Sequence, residues 1–201
     1  MGLAETQKAL ARLYTDEGLR GRFFADPAAV GGELGLSAEE ARRLAEVGSS
    51  RAEYFAASLV NKRLGEVSKL LPLTAGVLGQ EFRRLFREFA AREPVPAGLK
   101  KHLRDAVTFA EFVERGRRLK SVAPPWLAEL LSYEKESLRA RGSLSRLRVR
   151  RFRFDVGLLA RSVGRDPSSP LVEERATLAV WFRPRARGTL RHRVLPLARR
   201  K

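Results

Sequence analysis

The chain has no cysteine, one methionine and two histidines among its 201 residues. Without cysteine there is no disulfide framework, thiolate zinc site, iron–sulfur cluster or thiol nucleophile. That usage fits a reducing compartment, so a cytoplasmic location is expected. His102 and His192 fall in none of the His-x-x-x-His or Glu-x-x-His spacings of zinc or di-iron centres, and no metal site is expected in this chain. No apolar run approaches the ~18 residues of a membrane span, and residues 1–8 lack the apolar centre of a signal peptide, so no membrane association is expected. A phosphate loop is missing too, because Gly31-Gly32 and Gly35 come with neither its lysine nor a preceding strand.

What the chain does have is arginine. Lys and Arg number 40 against 23 Asp and Glu, a formal charge of +17, while 44% of residues are hydrophobic. That apolar share describes a folded protein, and a chain of this length buries roughly 70% of its unfolded surface without staples. Only eight of the basic residues are lysine, and arginine is the side chain suited to planar recognition of carboxylate or phosphate. The charge is also uneven: residues 143–201 carry +12 of it and residues 1–142 only +5.

Up to Gly142 the apolar spacing is helical. Asp26-Pro27 is a cap and first-turn pair, and Ser37 with Glu40 has capping-box spacing, as does Ser50 with Glu53 before the longest helix. Val60, Leu64, Val67 and Leu71 form that helix's apolar stripe until Pro72 limits it. Phe82, Leu85, Phe86 and Phe89 mark another, Leu103 to Val113 a third, and Trp126 to Leu138 a last one after Pro124-Pro125. After Gly142 the period becomes two. Residues 147–156 alternate with a phase slip at Arg150-Arg151 that predicts a β-bulge. Residues 176–182 are apolar on both faces like a central strand, and residues 190–197 give an edge strand with Pro196 near its end. The expected fold is α+β, a helical domain over 1–142 followed by a small, mostly antiparallel and basic sheet domain over 143–201.

Catalytic machinery is sparse. His102 reads as a surface or boundary residue, and His192, sharing a strand face with Leu190 and Val194, as a half-buried structural histidine. Glu39-Glu40 and Glu173-Glu174 sit in helix-start or loop settings. The sharper feature is the alternation of Arg148, Arg150 and Arg153 on one strand segment and Arg191 and Arg193 on another, which predicts a basic face beside an apolar one. An exposed edge with such guanidinium groups can take up an acidic peptide by strand addition, the main chain giving affinity and the arginines charge selection. A second reading places Arg183, Arg185 and Arg187, in the loop before the last strand, along a phosphate backbone like a wing. A solvated basic face that keeps an edge from aggregating is the plain alternative. Phe152, Phe154 and Trp181 read as core and not as a stacking platform.

Several stretches resemble a known group. These are Leu13-Tyr14-Thr15-Asp16-Glu17-Gly18-Leu19-Arg20, Phe23-Phe24-Ala25-Asp26-Pro27 and Leu34-Gly35-Leu36-Ser37. An ordered series follows: Lys62 to Thr74, Leu78-Gly79 with Phe82, His102-Leu103-Arg104-Asp105-Ala106 with Phe109 and Phe112, and Pro125-Trp126-Leu127 with Leu130 and Tyr133-Glu134. Over about residues 13–138 this order is similar to the helical domain of a family once filed as putative DNA-binding proteins. That family was later associated with peptide-modifying iron oxidases and includes analogues of the methanobactin partner subunit. The resemblance implies a non-catalytic adaptor in RiPP biosynthesis. It would form a heterodimer with a TIM-barrel multinuclear non-heme-iron oxidase and help dock a ribosomally made precursor peptide. Iron would then belong to the oxidase, with no cofactor in this chain. A DNA-binding regulator is the reading from a different class, with nucleic acid as partner.

Overall fold

In this computed structural model the described residues are 3–116, 123–143, 146–185 and 188–197. They form an α+β protein, a helical series followed by a three-stranded antiparallel sheet. The chain packs as two compact units, residues 1–63 with 90–94, and residues 64–89 with 95–201. Gly142, where helix gives way to strand, lies inside the second.

The first unit holds α1 (Leu3–Thr15), α2 (Glu17–Ala25), α3 (Pro27–Glu33), α4 (Ala38–Ala45) and the opening turns of α5 (Ser49–Leu70). Its helices start where a polar side chain can satisfy orphan N–H groups. Asp16 accepts from Leu19 N, and Asp26 accepts from Ala29 N with Pro27 in the first turn. Ser37 and Glu40 form the reciprocal box that their spacing predicts. The box expected at Ser50 and Glu53 is not the start of α5, which begins at Ser49 and leaves Ser50 inside the helix. Leu13, Leu19, Phe23, Val30 and Leu44 close the core of this unit. Tyr14 packs on Phe55 with ring centroids 4.5 Å apart.

The second unit contains α6 (Pro72–Leu78), α7 (Gln80–Ala90), α8 (Lys101–Arg115), α9 (Pro125–Gly142), β1 (Leu147–Phe152), α10 (Val156–Arg165), β2 (Thr177–Phe182) and β3 (Arg191–Pro196). Phe82, Phe86 and Phe89, spaced by four and three along α7, meet Phe109 of α8 with ring centroids 5.1, 5.3 and 5.4 Å apart. These side chains are fully buried and form the aromatic centre of the unit. Pro72 limits α5 as expected and opens α6, whose first N–H groups, of Leu73 and Thr74, donate to the Glu134 carboxylate of α9 at 2.8 and 2.9 Å. A buried acid thus does the capping that a local Ser or Asp would otherwise do.

Two expectations after Gly142 are corrected. Residues 147–156 are not one alternating strand: β1 stops at Phe152, where the Glu129 carboxylate takes the N–H groups of Arg153 and Phe154. Asp155 then caps α10 by accepting from Leu158 N at 2.9 Å. Nor is there a bulge at Arg150-Arg151. The β1–β2 ladder runs one residue against one from Leu147↔Phe182 to Phe152↔Thr177, so the apparent phase slip is a change of face and not an insertion: Leu147 and Val149 lie on one face of an unbroken strand and Phe152 on the other. β2 is the central strand and pairs antiparallel with β3 from Thr177↔Pro196 to Phe182↔Arg191. Pro196 sits on an edge, where its missing N–H costs no ladder bond. Phe152, Ala179 and Trp181 on one sheet face pack with Val156 of α10 and with Tyr133 and Ala140 of α9.

Candidate binding surface

Directly paired residues on adjacent strands project to the same face, so the two registers divide the sheet. The inner face, toward α9 and α10, carries Arg148, Arg150 and Phe152 of β1, Thr177, Ala179 and Trp181 of β2, and His192 and Val194 of β3. The outer face consists of three cross-strand rows: Arg151, Leu178 and Leu195; Val149, Val180 and Arg193; Leu147, Phe182 and Arg191.

The five arginines of the predicted basic face are therefore not brought together. Arg148 and Arg150 belong to the inner side, Arg191 and Arg193 to the outer, and Arg153 lies beyond the end of β1. Two of them are also engaged: Arg148 donates to Glu136 at 2.7 Å, and Arg153 donates to Glu174 at 2.6 Å. The cause is parity. Arg148 and Arg150 share their phase with Phe152, and it is Phe152, not Leu147 or Val149, that enters the core. The residue that joins Arg191 and Arg193 on the outer face is Arg151, which the sequence reading passed over. Its shared odd phase with Val149 was the available signal. Among the described residues Arg151, Arg191 and Arg193 are exposed and make no ion pair.

Around the outer arginines the surface is apolar. Val149 and Leu195 are 46% and 48% exposed, and Leu178, Val180 and Phe182 are half-buried. No carboxylate occurs in the three rows.

The loop from β2 to β3 connects an antiparallel hairpin as predicted, but its arginines do not form a free basic tip. Arg183 turns back and donates to Ala140 O and Ser143 O at 3.0 and 3.2 Å, holding the end of α9. Arg185 is exposed, and Arg187 lies outside the described residues.

On the inner side, Tyr133 Oη and His192 Nε2 share a hydrogen bond of 3.0 Å, and the His192 ring stacks on Trp181. Burial lowers the His192 pKa and raises that of Tyr133. Trp181 Nε1 donates to Ser137 Oγ at 3.1 Å. These contacts fasten β3 and β2 to α9 beside a cavity of about 530 Å³. A larger cavity of about 860 Å³ is lined by Leu99, Leu103 and Val107 with Arg104 and Arg139, and touches Arg148. His102 is half-buried early in α8.

Three of the four buried carboxylates of this unit, those other than Asp105, are held as follows. Glu134 accepts from Leu73 N through Oε1, and from Thr74 N and Oγ1 through Oε2. Glu136 accepts from Arg139 and Arg148, one through each oxygen. Asp155 accepts from Leu158 N through Oδ1 and from Arg175 through Oδ2. Among the described residues no three His, Asp or Glu side chains converge as a metal-ligand group, and no helix is long and apolar enough to cross a membrane.

No curated protein matches the chain. Residues 45–115, which run from the end of α4 through α8 and lie inside the stretch that carries the resemblance described above, are similar to the family described as SCO6045-like, C-terminal domain.

Proposed function

We propose that the chain is a non-catalytic partner protein. It binds a TIM-barrel multinuclear iron oxidase and helps bring a ribosomally made precursor peptide to it for modification. One observation carries the non-catalytic part: Glu134, Glu136 and Asp155 spend all six carboxylate oxygens on helix starts and guanidinium groups, while three outer-face arginines stand unpaired. Acid–base chemistry needs a titrating group within reach of a substrate proton, and polypeptide binding needs apolar area with unsatisfied charge beside it. The order of motifs over residues 13–138 supports the oxidase as the partner, with iron held by that other chain and both proteins in the cytoplasm.

The nucleic-acid reading has less behind it. Arg183, the first of the loop arginines, is occupied at the end of α9, and the outer arginines surround apolar side chains that a phosphate backbone would leave unsatisfied.

The test is to express the full chain with an iron oxidase and a precursor peptide encoded beside it. The proposal expects the two proteins to elute as one complex at moderate salt and the peptide to change mass only when both are present. An oxidase that modifies the peptide equally well alone, and never co-elutes with the chain, would overturn it.

A further inference from the structure

We propose that the outer face of the sheet is a docking surface for an amphipathic, acidic α-helix of a partner polypeptide, laid along the strands as a second covering layer. The inference goes beyond the oxidase reading and does not require it, since it rests on register, exposure and charge alone.

The first support is the composition of β2. Thr-Leu-Ala-Val-Trp-Phe is apolar at successive positions, the pattern of a strand covered on both faces, because a strand with one solvated face alternates. Among the described residues the two faces differ: Thr177, Ala179 and Trp181 are buried, Ala179 and Trp181 in one cluster with side chains of α9 and α10, whereas Leu178, Val180 and Phe182 on the opposite face are only half-buried and stand outside that cluster. Their row neighbours Val149 and Leu195 are about half exposed. A sheet with two apolar faces is stable as the middle of a sandwich of layers, so the outer rows call for a second one.

Length and charge then choose the occupant. Six residues of strand span about 20 Å, the length of a helix of about 13 residues. Arg151 stands on one edge strand and Arg191 and Arg193 on the other, so cations flank the apolar rows from both sides. A helix with an apolar stripe and carboxylates on either flank would meet leucine and valine at the centre and guanidinium at the rims, with no carboxylate among the three rows in the way. A second copy of the same face would bring like charges together. A nucleic-acid duplex would engage the arginines but desolvate the apolar rows against phosphate.

The experiment uses the full chain and a fluorescein-labelled peptide of about 14 residues with leucines at i, i+3, i+4, i+7 and i+11 and glutamates on the flanks. Anisotropy is expected to show saturable binding. Affinity should fall by about tenfold or more in Arg191→Glu/Arg193→Glu, and comparably in Val149→Ser/Leu195→Ser. The charge-reversed chain should recover binding to a lysine version of the peptide. All four positions are solvent-exposed or half-exposed, and circular dichroism of each variant confirms that the fold is retained. Four results would overturn the proposal: no saturable binding; binding insensitive to the apolar pair, which means charge attraction only; a dimer that Leu195→Ser dissociates; or a DNA duplex that displaces the peptide and binds tighter. Each can be told from failure of the oxidase reading, because the probe contains no oxidase or precursor sequence.

Discussion

Arg148 of β1 donates through Nη1 to Oε2 of Glu136 on α9 at 2.7 Å, joining the first strand to the last long helix through a carboxylate that is only 6% exposed. Arg139 holds the other oxygen and is itself held by Glu111. A buried carboxylate that loses one cation keeps its desolvation penalty, so the pair is costlier to break than to replace.

Glu136→Ala should destabilise the protein by about 2 kcal/mol and Arg148→Ala by about 1 kcal/mol, with a coupling of about 1 kcal/mol in the double variant. Urea unfolding of the four proteins checks this. Strict additivity would mean that the contact contributes nothing.

Two carboxylates one position apart from being neighbours on α9 should respond oppositely to pH. Burial raises the Glu134 carboxyl, and the bonds from Thr74 and Leu73 do not bring it back down. Its contribution is full below the unfolded pKa and is lost as pH rises through the raised folded value. Burial also pushes Glu136 up, but Arg148 and Arg139 outweigh it and hold the carboxyl below the usual range. That contribution is present above the unfolded pKa and is lost as pH falls through the lowered value. Wild type should therefore gain on Glu134→Gln as the solution is acidified and lose ground to Glu136→Gln over the same titration, measured as urea midpoints.

The division of the sheet into faces predicts a sharp contrast between chain neighbours. Trp181→Ala, which empties the inner core against Tyr133 and Phe152, should cost about 3–5 kcal/mol, and Val180→Ala on the outer face less than about 1 kcal/mol. Similar values for the two would mean that both faces are covered.

In the first unit Gly31→Ala would place a methyl 2.5 Å from Ala41 Cβ, where α3 and α4 meet. The helices must separate, at a cost of about 2 kcal/mol read as a lower urea midpoint, whereas Gly32→Ala, which meets nothing within 4 Å, should be close to neutral.

The helical part was legible because its signals are local. Caps at Asp26 and Ser37 and the phenylalanine stripe of α7 lie within one or two turns of what they specify. The candidate surface was legible only as an excess of arginine. Assigning Arg148 or Arg193 to a face requires the pairing of β1 and β3 with β2, and β2, apolar on both sides, offers no parity by which to choose. The helix α10 was missed for a related reason. Its start is marked by Asp155 directly after an alternating run, and its Gly157 and Gly164 weaken the helical pattern.

The two strands of the β1–β2 ladder lie 25 to 35 residues apart along the chain, with α10 between them. Such non-local pairing closes late, after helices built on near-neighbour contacts. During that interval Leu178, Val180 and Phe182 belong to an unpaired, aggregation-prone segment with no charge of its own. Arg151 on one future neighbour, with Arg191 and Arg193 on the other, places charge beside that segment, the arrangement that opposes strand addition between chains. The guanidinium groups that rim the finished face thus stand where gatekeepers of folding are expected.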